Sequence, residues 1–222
     1  MEEEEYNTIK LENITSDEGN QNILRGLKHN DPTFDNLWIC NEDDFVGNKR
    51  FNFCPTNGRE LGWLGYYIGK STTVDRIYIN SAPSPSCNTG IEDFRRGLGR
   101  NNSIRSISFC NHRLDGQIFH MLDLFFKNTD NLTEFQAEEC ELGPEGIRQL
   151  SLALGNCKKS LKNVRFVCNQ IIGGGQSMDI IAALHMHPQL KELNLGRMNI
   201  GRNECAALAE LFYGILPNNC KH

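Results

Sequence analysis

The chain of 222 residues is long enough to bury a sizeable core, and its 28 acidic against 23 basic residues give a net charge of -5. This balance argues against a general binder of nucleic acid or of anionic membranes, which would need surplus Lys and Arg. No apolar stretch approaches the roughly 18 residues that span a bilayer.

The N-terminus is acidic where a secretory signal would be basic, which predicts a cytoplasmic or nuclear location. The nine cysteines are odd in number and include no CxxC pair. Without a secretory signal, we expect reduced thiols and no disulfide framework.

Residues 1–15 form an acidic and mostly disordered segment in this prediction. Glu2–Glu5 carry most of its charge, and weak alternation over residues 6–14 could form a short edge strand. One domain is expected over 16–222, and it begins with an N-terminal capping helix over 16–33. The apolar side chains of this helix are Ile23, Leu24 and Leu27.

The first strand run is followed by an irregular stretch. We expect a first repeat over 34–73 that contains a loop insertion of about eleven residues, placed at 41–59, before a helix resumes at about 59–68. A second loop over 80–90 contains prolines that exclude a strand centre. Regular repeats are expected over 74–222.

Six short runs share the form apolar-x-x-apolar-x-apolar, and their first residues are separated by 40, 30, 28, 29 and 29 positions. The runs are 34–39, 74–79, 104–109, 132–137, 161–166 and 190–195. Four consecutive spacings within one residue of 29 predict an internal repeat.

The last four runs are followed by an apolar turn residue ten positions after their first residue, and the last three also by a helical stripe. The turn residues are Leu114, Leu142, Ile171 and Ile200. The stripes are Ile147, Leu150, Leu154; Ile180, Ile181, Leu184; and Cys205, Leu208, Phe212. Each unit therefore predicts a short strand, a turn and an amphipathic helix, whose apolar sides form a core only when neighbouring units stack.

The unit over 132–154 carries a more specific pattern: Leu132, Phe135, Ala137, Cys140, Leu142, Gly143, Gly146, Leu150 and Leu154. It resembles the repeat of ribonuclease-inhibitor-like (RNI-like) leucine-rich repeat proteins, and the resemblance covers about 34–219. It implies an α/β horseshoe solenoid of about six repeats of 28–30 residues, with parallel strands on the concave face and helices on the convex face. Cys140 and Asn169 fit the family's turn position, whereas Ala82, His112 and Met198 depart from it.

The C-terminal end is predicted to lack a cap. Residues 219–222 repeat the Asn-Cys-Lys of 156–158, which precedes a strand. Either the natural chain continues, or an apolar helix end is left open to self-association.

Motifs that could indicate chemistry have better structural interpretations. The stretch from Gly65 to Ser71 lacks the glycine spacing of a nucleotide-binding P-loop, and glycines 173–175 lack its lysine and hydroxyl partners. His185 and His187 would diverge on a helix, which argues against a shared metal ion. We find no signature of a nucleophile, and we predict no catalytic residue, metal site or cofactor.

Strand side chains that alternate away from the core are predicted to line the concave face and to bind an unidentified protein or peptide. Aromatic and arginine side chains dominate such interfaces. The candidate residues are Trp38, Arg76, Tyr78, Glu134, Gln136, Glu138, Arg165 and Asn194. Alternatively, the loop inserted after the first strand covers Trp38 and Tyr78.

The leading hypothesis is therefore a non-catalytic scaffold for protein–protein interaction, with neither a nucleic acid nor a membrane as partner. One alternative is a regulator of an enzyme, such as a Ran-type GTPase-activating protein. Another is a fragment of a larger receptor or ubiquitin-ligase adaptor.

Overall fold

The structure, a computed structural model, describes residues 8–40, 51–81, 83–110, 113–114, 116–157, 161–167, 170–171, 177–196 and 200–215. Over these residues the chain is mixed α/β with parallel sheets, which confirms the predicted class. Some predictions lie outside the described residues: Glu2–Glu5, glycines 173–175, turn positions Ala82, His112, Asn169 and Met198, and the segment 219–222.

Two parallel sheets contain the described strands. These are β1 (Asn36–Ile39), β2 (Asn52–Phe53), β3 (Arg76–Ile79), β4 (Ser106–Cys110), β5 (Arg113–Leu114), β6 (Glu134–Glu138), β7 (Glu141–Leu142), β8 (Asn163–Val167), β9 (Gln170–Ile171) and β10 (Glu192–Asn194). The main sheet has seven strands in the order β10-β8-β6-β4-β3-β1-β2. The second sheet has the order β5-β7-β9.

The six apolar runs all become strands of the main sheet, as predicted. Their burial alternates: on β1, Leu37 and Ile39 are buried, while Asn36 and Trp38 keep part of their surface exposed. Side chains of a strand point to opposite faces with a period of two, so one face of the sheet forms the core and the other faces solvent.

The small second sheet was not predicted. The apolar residues that follow the strand runs, Leu114 and Leu142, lie within its strands and pair in register. The sequence therefore indicates where the turn enters the core, but two-residue strands are too short to show alternation.

Helices follow the strands and form the other layer. They are α1 (Glu18–Lys28), α2 (Gly58–Lys70), α3 (Ile91–Leu98), α4 (Gly116–Asn128), α5 (Pro144–Asn156), α6 (Ser177–Leu184) and α7 (Arg202–Ile215). The predicted stripe of α5 is buried, with Ile147, Leu150 and Leu154 at 0% exposure. Among the described helices, none is long and apolar enough to cross a membrane.

The stripe predicted for α7 is wrong at two of its three positions, and only Leu208 packs against the core. Phe212 is 45% exposed and Cys205 is exposed, whereas Leu211 is buried at 3%. The inward face is therefore turned by about one residue, so that Glu204 takes the buried position in the first turn. Glu204 accepts a hydrogen bond from the Ser177 hydroxyl at 3.0 Å, which satisfies its carboxylate there.

The predicted N-terminal helix is present. The side chain of Asp17 caps α1 by accepting a hydrogen bond from the Asn20 amide at 2.7 Å, and the three predicted apolar residues are buried. The edge strand suggested within 6–14 is wrong in its described part, because Leu11–Asn13 is a 3-10 turn. Leu11 anchors this turn by burying its side chain.

The loop predicted over 41–59 contains a strand. Residues 41–50 lie outside the described part, but β2 pairs in parallel with β1, and α2 begins at Gly58 with Asn57 as its N-cap. Phe53 is fully buried and anchors β2 at the edge of the main sheet. In the predicted loop 80–90, Pro85–Gly90 is a 3-10 helix.

Glycines allow α2 and α3 to approach closely. A Cβ atom on Gly97 would collide with the backbone carbonyl of Gly65, and one on Gly90 would collide with the carbonyl of Gly58. Side chains larger than hydrogen would push these helices apart, so the two glycine pairs set their spacing.

Candidate protein-binding surface

The parallel register arranges the outward side chains in rows across the main sheet. The central row is Trp38, Tyr78, Ser108, Gln136, Arg165 and Asn194. The first row is Asn36, Arg76, Ser106, Glu134, Asn163 and Glu192. A third row at the strand ends contains Cys110, Glu138 and Val167. All eight predicted site residues lie in these rows.

An aromatic stack stands at one end of the central row. The rings of Trp38 and Tyr78 lie 4.1 Å apart between centroids, with 7° between their planes. Neighbouring strands are about 4.8 Å apart, so flat rings at paired positions can stack face to face. Both side chains are half-buried and together present an amphipathic edge, with the Tyr hydroxyl as its polar group.

The middle of the surface is formed by small side chains that are covered. On β4 the positions in the first two rows are serines, and Ser106 and Ser108 are 3% and 2% exposed. Their neighbours on β3 and β6 are much longer and cover them. The Ser108 hydroxyl donates to Gln136 Oε1 at 3.4 Å, which satisfies this buried polar group.

Charged groups of both signs surround the two serines. Arg76 lies 4.0 Å from a Glu134 carboxylate oxygen and 3.6 Å from Asp75, and Arg165 lies 3.7 Å from Glu138. A hydrogen bond with Tyr78, aided by the nearby carboxylates, raises the pKa of Arg76. These pairs are partly exposed, so they contribute little to stability and remain able to exchange partners.

The predicted residues do not form one cluster. Trp38 and Asn194 are five strands apart, or about 24 Å. The Asn194 side chain is engaged locally, because its oxygen accepts a hydrogen bond from the Gly196 amide at 2.9 Å. The surface therefore has an aromatic pair at one end, covered serines on β4, and charged side chains on β3, β6 and β8.

Sequence reasoning missed the importance of the two serines and of Asn52. The serines occupy the outward positions of a predicted strand, so their small size between Tyr78 and Gln136 was the available signal. Asn52 pairs with Trp38 through β2 and widens the sheet by one strand, for which the sequence gives no periodic signal. Whether the chain between β1 and β2 covers the aromatic stack concerns residues 41–50, which lie outside the described part.

His185 and His187, which are not predicted to share a metal ion, lie in different environments. His187 is 1% exposed and its Nε2 lies 2.8 Å from the carbonyl oxygen of Leu154, so Nε2 carries the proton and donates it. His185 is exposed. Within the described ranges, no group of three or more His, Cys, Asp or Glu side chains could hold a metal ion.

Comparison with known proteins gives structural matches alone. No family model and no curated protein sequence matches the chain. Leiomodin-1 actin-binding site 2 matches with a TM-score of 0.47 and 15% identity, covering 87% of each chain. The tropomodulin C-terminal domain of Caenorhabditis elegans matches with a TM-score of 0.44 and 12% identity, covering 87% of this chain and 91% of that one.

The predicted membership of the RNI-like leucine-rich repeat family is therefore wrong. The two matching structures named above are leiomodin and tropomodulin domains, and no family model matches the chain. The apolar spacing that carried the resemblance is required wherever strand–helix units stack on a common core, so it does not distinguish one family from another.

Proposed function

We propose that this chain is a non-catalytic protein-binding domain that holds a protein or peptide partner on the outward face of its main sheet. The single observation that carries the proposal is the half-buried stacked pair Trp38 and Tyr78 on the outward face of the sheet. Aromatic side chains that are rigid and half-buried lose little conformational entropy on binding and can anchor a partner.

The dimensions of the surface fit a short protein contact. Six strands span about 24 Å from Trp38 to Asn194, which is enough for an extended peptide of seven or eight residues or for one edge of a small domain. Glu134 and Glu138 on β6 lie between Arg76 on β3 and Arg165 on β8, and this mixture of charges favours a partner that carries both charge signs.

The proposal extends to the shape and the domain organisation of the chain. We propose a curved horseshoe with strands on the concave face and helices on the convex face, and one domain over 16–222. A continuous hydrophobic core from Leu11 to Leu211 supports the single domain. A cytoplasmic or nuclear location remains a prediction.

Neither alternative from the sequence is supported by the matches. These were a Ran-type GTPase-activating regulator and a fragment of a larger receptor or ubiquitin-ligase adaptor. The proposal depends on the chemistry of the sheet face alone.

Quantitative capture from a cell lysate tests the proposal. The wild type is compared with a Trp38→Ala, Tyr78→Ala, Arg165→Ala variant, which removes the sheet-face anchors. A Tyr213→Ala, Arg148→Ala variant is the matched control, because both side chains are exposed on helices.

We expect the sheet-face variant to lose specific partners by about tenfold or more, and the helix-face control to retain them. Equal recovery of the same partners by all three proteins would show that the sheet face is not the binding surface.

A further inference from the structure

Two cysteines meet where β1 and β2 end. Cys40 follows β1 directly and Cys54 follows β2, and the last paired residues of these strands are Ile39 and Phe53. The Cys40 amide donates to the Phe53 carbonyl at 3.2 Å, which extends the parallel pairing by one step. The cysteines are thus neighbours in the sheet although 14 positions separate them in the chain.

The thiols lie at near-bonding distance. Their Sγ atoms are 2.9 Å apart, against about 2.05 Å in a disulfide. Neighbouring strands place paired Cα atoms about 5 Å apart, inside the range of roughly 4.4–6.8 Å that disulfides span. Closing the bond therefore needs a movement of less than about 1 Å and no change of strand register.

The backbone around Cys54 is held in place from the opposite layer. Asn20 of α1 is 1% exposed, and its side-chain amide donates to the Cys54 carbonyl at 3.0 Å. Its side-chain oxygen accepts from the Cys54 amide at 3.1 Å. The pair of bonds fixes Cys54 against β1, so the approach of the two thiols is built into the fold.

We propose that Cys40 and Cys54 form a dithiol–disulfide site whose reaction partner is a small disulfide such as glutathione disulfide. Cys54 is half-buried and Cys40 is 2% exposed, so Cys54 reacts first. Its thiolate attacks glutathione disulfide, forming a mixed disulfide and releasing one glutathione thiolate.

The Cys40 thiolate then attacks the Cys54 sulfur. The protein disulfide forms, and the second glutathione leaves as a thiolate. The two protons from the cysteines pass to the two glutathione thiolates. In sum, two protein thiols are oxidised, one glutathione disulfide is reduced, and two glutathione molecules are released. Excess glutathione reverses the reaction. In a reducing compartment, Cys40 and Cys54 are therefore expected to be thiols.

The bond would join the edge strand to the strand that carries Trp38. Trp38 pairs with Asn52, two positions before Cys54, so the disulfide lies beside the aromatic end of the sheet face. Oxidation therefore closes a loop of about 15 residues and restricts this edge of the sheet.

The test uses the whole chain and glutathione redox buffers. After equilibration, the remaining thiols are alkylated and peptides are mapped by mass spectrometry without reduction. We expect one cross-linked peptide pair containing Cys40 and Cys54, loss of two alkylated sites, and a melting temperature about 5–10 °C higher.

Cys110→Ser is the matched control. Cys110 follows Phe109, which lies two strands away from Ile39, so it stands about 10 Å from Cys40 and cannot bridge to it. This variant should form the same cross-link. Cys40→Ser should instead retain one glutathione on Cys54, because the resolving thiol is missing.

The wild type alone decides the proposal. If Cys40 and Cys54 both remain alkylated in excess glutathione disulfide, or each carries a separate glutathione, the site does not form a disulfide. These covalent readouts need no protein partner, so they are independent of the binding proposal.

Discussion

The indole of Trp38 lies flat against the phenol ring of Tyr78, with ring centroids 4.1 Å apart, although 40 positions separate the two residues in the chain. Trp63 is by contrast buried at 1% within α2. We expect Trp38→Ala to lower the free energy of unfolding by about 1 kcal/mol, and Trp63→Ala by about 3–5 kcal/mol. Urea unfolding measures both. Similar losses would mean that Trp38 is a core residue and not part of an exposed surface.

Replacing a helical glycine with alanine usually stabilises a protein, but the glycine contact between α2 and α3 predicts the opposite effect there. Gly97→Ala should destabilise the chain by about 1–3 kcal/mol, because the new methyl group meets the Gly65 carbonyl. Gly155→Ala on α5 should stabilise it by about 0.5–1 kcal/mol, because nothing lies within 4 Å of that Cβ position. Thermal unfolding of both variants gives the comparison. A stabilising Gly97→Ala would contradict the close helix contact.

A buried side-chain amide joins the end of α2 to the segment that leads into β4. Asn101 Nδ2 donates to the carbonyls of Ile68 and Ser71 at 2.7 and 3.0 Å, and its Oδ1 accepts from the Ile104 amide at 2.9 Å. Asn101→Ala should cost about 2–4 kcal/mol, since buried carbonyls lose their donors. The exposed neighbour Asn102 is the control, and its change to Ala should stay within about 0.5 kcal/mol. Chemical denaturation measures the free energy of unfolding of both variants. Equal losses in Asn101→Ala and Asn102→Ala would show that the buried hydrogen bonds of Asn101 do not stabilise the fold.

Burial of His187 predicts a dependence of stability on pH. Desolvation lowers the pKa of His187 below its usual value of 6.5, and the hydrogen bond to Leu154 offsets this only in part. The unfolded chain therefore binds a proton at this site more readily than the folded chain does. Stability should fall as the pH drops below about 6.5.

The variant His187→Gln tests whether His187 causes this fall in stability with falling pH. Its side-chain amide can still donate to the Leu154 carbonyl, but it does not titrate. We expect this variant to lose part of the decline between about pH 7 and 5. His185→Gln, at an exposed position, should leave the decline unchanged. An identical pH dependence in the wild type and in His187→Gln would exclude His187 as its source.

Much of the fold could be predicted from spacing. The apolar runs specify β1, β3, β4, β6, β8 and β10, because a strand that is half-buried must alternate. The α5 stripe was predicted correctly for the same reason, with a period of 3.6 residues. The helical period of α7 was recognised, but the buried face was placed about one residue away from its actual position. The reason is that Glu204 is buried with a hydrogen bond from Ser177, which the apolar pattern does not reveal.

The parts that escaped prediction depend on pairing partners far apart in the chain. Asn52 and Phe53 form a strand only because β1 offers its edge. The thiols of Cys40 and Cys54 meet for the same reason, and nothing in their separation along the chain suggests it. The outward position of Trp38 could be predicted from alternation, whereas its stacking on Tyr78 needed the register between strands.

Site-specific photo-cross-linking tests the central claim most directly. A photoreactive amino acid is introduced at Gln136, in the central row of the sheet face, and separately at Arg148 on the helix face. With a captured partner, the account predicts a cross-link from position 136 that Trp38→Ala reduces, and little from position 148. A cross-link from position 148 with none from position 136 would place the partner on the helices and contradict the sheet-face proposal.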